Sequence, residues 1–171
     1  MSRAARGKER RALSLHAACV VIGEAGILIR GESGSGKSTL ALALLDRTER
    51  DGGHGRLVGD DRIRVEPHHG RLVARAHPAI AGLVEVRGLG LRAVPSIGAA
   101  ILHMVVDCVG DVPRMPEPAE PVTMSGVTLP CLVLGRTLRE TGLGPAHVMH
   151  ALSVASRSHS GIVGQPAVEA P

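Results

Sequence analysis

A chain of 171 residues with a net charge of +4 and 44% hydrophobic residues has the length of one domain. A domain of that size buries roughly 70% of its unfolded surface and needs no staples. It contains no Phe, Tyr or Trp, so the core must be Leu, Val, Ile and Ala, and none of those three rings is available to stack on a base, which argues against a single-stranded nucleic-acid binder. No apolar run reaches the ~18 residues of a membrane span, and a charged start leading straight into a strand-like segment is not a signal peptide.

In chain order, Arg3, Arg6, Lys8, Arg10 and Arg11 read as a solvated basic flank. Residues 13–22 read as one strand, residues 23–26 as a turn, and residues 26–30 as a short apolar strand. The tight turn makes these strands an antiparallel hairpin, so a mixed sheet is expected. Next stands Gly31-Glu32-Ser33-Gly34-Ser35-Gly36-Lys37-Ser38, which fits G-x-x-x-x-G-K-[ST] without mismatch. A polyphosphate is held by backbone N–H groups that point inward, and glycines let the chain curl closely enough. Lys37 then reaches the β- and γ-phosphates, and the Ser38 hydroxyl can ligate Mg²⁺. The chain holds 18 arginines and two lysines, and one of those lysines stands where the pattern requires it. Leu40, Ala41, Leu44 and Leu45 recur at helical spacing, Arg47 and Arg50 suit a helix C-terminus, and Gly52-Gly53 ends it. Strand, glycine loop and helix in this order place a positive helix end at the phosphates.

Residues 56–59 form a short strand that ends at Asp60-Asp61. Residues 62–66 and 70–74 read as a hairpin around Pro67-His68-His69-Gly70, with both histidines exposed in its turn. Residues 77–84 read as a turn and a short helix. Residues 101–109 are the longest apolar strand candidate and are expected to be central. Residues 113–121, rich in proline and acid, are a loop. Residues 122–124 and 127–134 bracket Ser125-Gly126 as another hairpin. Residues 145–156 form the last helix, with Pro145 in its first turn and Val148, Met149 and Leu152 on one face; His147 and His150 lie on its polar edge. The domain is expected to span residues 1–157, followed by a frayed tail at 158–171. Cys19, Cys108 and Cys131 each lie in an apolar run without a C-x-x-C pair, as buried small hydrophobes in a reducing, cytoplasmic compartment would.

Phosphoryl transfer needs a carboxylate as well as the loop, for the metal or for the proton of the attacking hydroxyl. Two candidates stand in the sequence. Asp107 ends an apolar strand, as in an ordinary Walker B strand. Asp60 and Asp61 end a shorter one; side chains alternate along an extended chain, so one can face the site while the other supports it. A base beside another carboxylate and partly buried also has its pKa raised towards the working range. Residue chemistry alone leaves both candidates open. With Asp107 as the acid, the reading is a P-loop hydrolase or small-molecule kinase; a non-catalytic nucleotide sensor is the third possibility.

From His16 to Gly90 the sequence resembles the catalytic domain of HPr kinase/phosphorylase. The resemblance rests on His16 before the loop, the loop and its helix, the paired Asp60-Asp61, and Glu85-Val86-Arg87-Gly88-Leu89-Gly90-Leu91, similar to the family's Glu-Ile-Arg-Gly-Leu-Gly-Ile. Arg114 stands about where the family has a catalytic arginine. The resemblance implies an α/β domain with a mixed sheet, like phosphoenolpyruvate carboxykinase. The implied reaction is transfer of phosphate from ATP, with Mg²⁺, to a serine of the phosphocarrier HPr, in control of the phosphotransferase system and of carbon and nitrogen metabolism. It further implies a hexamer, with neither nucleic acid nor membrane as a partner. By position, Gly31 to Ser38 and Thr39 bind the nucleotide, Ser38 and Glu85 hold Mg²⁺, Asp61 takes the serine proton, and Lys37, His16 and Arg114 act at the phosphates. This favours Asp61 and leaves Asp107 a structural role. The chain departs from the family in Thr39, where an acidic residue is usual, and in a longer segment before the aspartates. The basic loop tied to the reverse reaction, phosphorolysis, is reduced to Leu134-Gly135-Arg136, so weak phosphorolysis is expected.

Overall fold

The computed structural model describes residues 12–115 and 117–159; the basic N-terminal run and the tail beyond residue 159 lie outside them. The chain opens with β1 (Leu13–Leu15), β2 (Ala17–Ile22) and β3 (Ala25–Gly31), followed by the glycine loop and α1 (Lys37–Arg50). Then come β4 (Gly55–Gly59), β5 (Ile63–His68), β6 (Arg71–Ala76), a 3₁₀ turn (Pro78–Ile80), β7 (Leu83–Val86), β8 (Gly90–Ala93) and β9 (Ala100–Cys108). The last elements are β10 (Val122–Met124), β11 (Val127–Leu129), β12 (Cys131–Leu134), α2 (Arg136–Glu140) and α3 (Gly144–His159).

Eight strands form one mixed sheet in the order β1-β5-β6-β9-β3-β2-β4, with β12 also on β9. β2 and β3 are the expected antiparallel hairpin, and β9 runs parallel to β3 and β12 at the centre. Side chains along β2 and β3 alternate between two apolar layers. Ala18, Val20, Ile27 and Ile29 face Leu40 and Leu44 of α1 and Val148 of α3; Cys19 and Leu28 face Val58, Ile63, Leu72, Met124 and Leu129 on the other side. With both faces covered, β2 is buried along its whole length. Each large aliphatic side chain buried this way contributes about 1.5–3 kcal/mol relative to exposure.

The expected strand 13–22 is broken at His16, for a reason that reaches the site. β1 lies at one edge of the sheet and β2 near the other, although they are neighbours in sequence. The same holds for β4 and β5 on either side of Asp60 and Asp61. The sheet therefore curls until its ends meet, and the chain crosses that seam twice. Gly59 marks how tightly it closes, since a Cβ there would lie 2.8 Å from Ala76 Cβ and 2.9 Å from Ile63 Cδ1.

Other departures are local. The strand expected over 127–134 is split by Pro130, which cannot donate to a ladder; its carbonyl instead accepts from Val105 N–H at 2.9 Å, and β12 starts one residue later. The hairpin β5–β6 continues through Pro67 and His68, leaving His69 and Gly70 to turn. The segment 77–84 holds only a 3₁₀ turn, and from Leu83 it becomes β7, whose partner is β8. α2 occupies the stretch read as a remnant loop, and α3 runs to His159, beyond the expected end at 156. Cys19 and Cys108 are buried, whereas Cys131 is only partly so.

Candidate active site

The loop leaves β3 at Gly31, where φ is +150° and a Cβ would lie 2.5 Å from both the Cys108 carbonyl oxygen and Ser35 Oγ. Only glycine fits so close to the end of β9. Gly36 caps α1 in the left-handed conformation, so the helix N–H groups open toward the loop. Ser35 Oγ is buried and has no hydrogen-bond partner among the described residues, an orphaned polar atom inside the glycine loop. The loop borders a cavity of about 920 Å³ whose lining includes Gly31 to Gly36, Thr39, Asp107, Arg136 and Arg139.

Lys37 is buried, and its Nζ donates to the carbonyls of Gly31 at 2.9 Å and Glu32 at 2.8 Å. It also lies 3.2 Å from His16 Nε2. His16 Nδ1 is 2.8 Å from Asp61 Oδ1 and 3.1 Å from the Asp61 carbonyl oxygen. Both of those oxygens accept, so Nδ1 carries the proton and Nε2 receives from the Lys37 ammonium. One imidazole at the seam thus links the lysine of the loop to the candidate base.

The two aspartates are divided as their alternation suggests, but it is Asp60, not Asp61, that is buried. Asp60 accepts a hydrogen bond from Ser38 Oγ at 2.9 Å. Burial raises its pKa, against the hydrogen bonds from Ser38 and from the backbone N–H groups of Asp61 and Glu85. Asp61 is exposed and holds φ at +68°, a conformation uncommon outside glycine. Sequence reasoning gave Asp60 no role beyond supporting its neighbour, and the structure sets its carboxylate on Ser38. Ser38 and Asp60 meet through their side chains, with hard oxygen donors of the kind Mg²⁺ takes, and the Glu85 backbone N–H reaches the same carboxylate. Among the described residues no three His, Cys, Asp or Glu side chains gather as a metal site.

Glu85 ends up exposed on β7, its backbone at Asp60. If its carboxylate helps hold Mg²⁺, Glu85→Gln raises the Mg²⁺ concentration needed for half-maximal rate by several-fold; an unchanged titration removes Glu85 from the metal set. The turn after β7 also brings Arg87 to the loop: Nη2 lies 3.9 Å from where a Cβ on Gly34 would stand. Sequence reasoning used Arg87 only as part of a motif. Arg114 is exposed on the loop after β9 and makes no ion pair or hydrogen bond among the described residues. On α2, Arg139 donates through Nη1 to the carbonyls of Val109 and Leu134.

Asp107, the rival acid, is committed elsewhere. Arg30 Nε and Nη2 donate to its two carboxylate oxygens at 2.7 and 2.6 Å, and Cys131 Sγ lies 3.5 Å away. Burial beside Asp107 pushes the Cys131 thiol up to about 11. Both acceptor oxygens are thus occupied by a bidentate pair joining β3 to β9. Asp107→Asn is expected to keep the Mg²⁺ requirement and most of the turnover while costing about 1–3 kcal/mol of stability. Loss of turnover in a variant that folds and melts normally would restore Asp107 as the metal acid.

Residues 9–102 match the family model described as HPr Serine kinase C-terminal domain. The chain belongs to this family. His16, the loop, both aspartates and Glu85 lie inside the matched stretch; Asp107, Arg114 and α2 lie beyond it. The chain is 45% identical over 83 residues to the HPr kinase/phosphorylase of Clostridium tetani, covering 48% of this chain and 25% of that protein. It is 42% identical over 93 residues to that of Lacticaseibacillus casei, covering 54% and 27%. It thus spans about a quarter of the length of the curated relatives it matches. The solved Hpr(Ser) kinase/phosphatase of Coxiella burnetii superposes with a TM-score of 0.61 at 26% identity, over 81% of this chain and 99% of that one. The mixed α/β sheet of the family is therefore the fold of this chain. No helix of the described residues is long and apolar enough to cross a membrane.

Proposed function

We propose that this chain is a protein-serine kinase that transfers the γ-phosphoryl group of ATP to a serine of an HPr-like phosphocarrier. The observation that carries this reading is the difference in burial and partner between two adjacent carboxylates. Asp60 is buried on Ser38, and Asp61 is exposed on His16. A hydrolase needs only a metal acid and a positioned water, whereas an exposed carboxylate at the loop's mouth suits the proton of an incoming protein hydroxyl.

The loop N–H groups and Lys37 hold the phosphates. Asp61 accepts the serine proton at its carboxylate, and the Nδ1–H of His16 holds that carboxylate in place. When bound, Mg²⁺ supplies charge neutralisation between phosphate oxygens, and Ser38, Asp60 and Glu85 would hold it. Arg114 is assigned to the transferring phosphate by family position alone. Three free thiols fit a reducing cytoplasm, and a hexamer is the assembly the family implies. The test is incubation with labelled ATP, Mg²⁺ and the HPr-like proteins of the same organism, followed by identification of the labelled residue. Label on a serine of the carrier, absent with Asp61→Asn, supports the reading; ATP hydrolysis without any labelled protein overturns it.

The reverse reaction requires a pocket for inorganic phosphate with several fixed donors. Of the two arginines on α2, Arg139 has Nη1 tied to two carbonyls, which leaves Arg136 as the freer cation beside the loop. Pyrophosphate release from serine-phosphorylated carrier at millimolar phosphate is therefore expected to be much slower than the forward reaction. Comparable rates would mean that other residues form the phosphate pocket.

A further inference from the structure

The pairing of β9 has a gap. On one edge it meets β6 only at Ala100 and Ile101, and β12 only from Val105 onward. On the other edge its register with β3 passes from Leu102 to Met104. His103 is skipped on both edges, which makes it a bulge, and bulges re-aim a side chain. Its ring is exposed, with Nδ1 2.9 Å from the Ile101 carbonyl oxygen. A carbonyl only accepts, so Nδ1 carries the proton and Nε2 has no partner among the described residues.

Beside this gap lies a cavity of about 460 Å³, within the ordinary range for small-molecule sites. Its apolar lining includes Leu102 and Leu129, both buried, and the partly buried Leu152 of α3. Among the described residues its charged or chargeable lining residues are Arg71 and His103, both exposed, and no Asp or Glu lines it. The Arg71 guanidinium makes no ion pair or hydrogen bond among the described residues. An uncompensated guanidinium beside an imidazole favours an anion, and its planar fork matches a carboxylate. The aliphatic interior favours a ligand with an apolar body, because a fully polar ion would gain nothing from entering it.

We propose that this cavity is a second binding site, separate from the phosphate loop, for a small organic anion: a carboxylate on a short aliphatic body. Arg71 and His103 hold the carboxylate, and Leu102, Leu129 and Leu152 enclose the chain. The site is distinct from the nucleotide pocket. β9 lines that pocket through Asp107 and Cys108, and five residues of strand from His103 to Cys108 span roughly 17 Å.

The test uses hexanoate as the probe on the full chain, followed by amide NMR shifts. Expected is saturable one-to-one binding, with shifts centred on Ile101 to His103, unaffected by saturating ATP. The double variant Arg71→Met with His103→Gln should weaken binding on the order of tenfold or more, and hexanol should bind wild type more weakly by a similar factor. Both side chains are exposed, so the variant is expected to fold, and a melt matching wild type establishes that it does. No saturation at tens of millimolar hexanoate overturns the proposal. Binding that survives the double variant, or that ATP displaces, overturns it as well, by placing the probe elsewhere.

Discussion

Replacing Lys37 with Met is expected to lower phosphoryl transfer by a factor on the order of 10² or more while the chain still folds. The reaction involves little covalent chemistry for the protein to perform, so its catalysis is positioning and charge. Lys37 is the buried cation of the loop. Its ammonium is held by the Gly31 and Glu32 carbonyls and His16, all hydrogen-bond acceptors that it can exchange for phosphate oxygens without leaving the loop. Met keeps the length and most of the apolar stem but removes the charge. It leaves two carbonyls and one imidazole nitrogen to water, at a stability cost of about 1–3 kcal/mol. Initial rates with labelled ATP measure the first effect and thermal melts the second. A folded Lys37→Met protein with near-full activity would remove the loop from the reaction.

Much of this site was legible because its strongest part is contiguous. The loop pattern, the short strand before it and the helical spacing after it are local, and local signals survive without knowledge of the fold. The family match covers the same stretch and ends at Leu102, within β9. What was not legible depends on closure of the sheet. Nothing in residues 13–22 announces that the chain leaves one edge at His16 and rejoins near the other, because every residue on either side is compatible with one continuous strand. The same crossing decides which aspartate is buried. Sequence alternation said that Asp60 and Asp61 would face different ways; only the seam turns Asp60 inward to Ser38 and leaves Asp61 on His16. Asp107 is the converse case. Its strand looks like that of a metal acid, and its partner Arg30 stands in the sequence, but their cross-strand pairing is a matter of register between β3 and β9. The break at Pro130 was legible in principle, since proline in a strand interior removes a donor, and the reading of 127–134 as one strand passed over it.

Three replacements at Asp61 separate chemistry from backbone. Asp61→Asn, Asp61→Gly and Asp61→Ala are all expected to lose transfer to a protein serine by a factor of roughly 10²–10⁴, the usual contribution of a positioned base. Their stabilities should differ. At φ +68° the chain is left-handed at the seam, a conformation that Asp and Asn tolerate through local hydrogen bonds and Gly adopts freely. Ala has neither advantage, and its Cβ meets the following carbonyl at a cost of roughly 1–2 kcal/mol. The pair between Asp61 and His16 is half exposed on both sides, so its loss adds little, and adds it equally to all three. Asn and Gly should therefore melt close to wild type, and Ala lower by roughly 2–8 °C for a domain of this size. If Asn and Gly retain activity and only Ala loses it, Asp61 serves the fold of the seam and the base lies elsewhere. If all three lose activity alike while only Ala loses stability, the carboxylate itself is what the reaction uses, and its strained backbone is the means of holding it at the mouth of the loop.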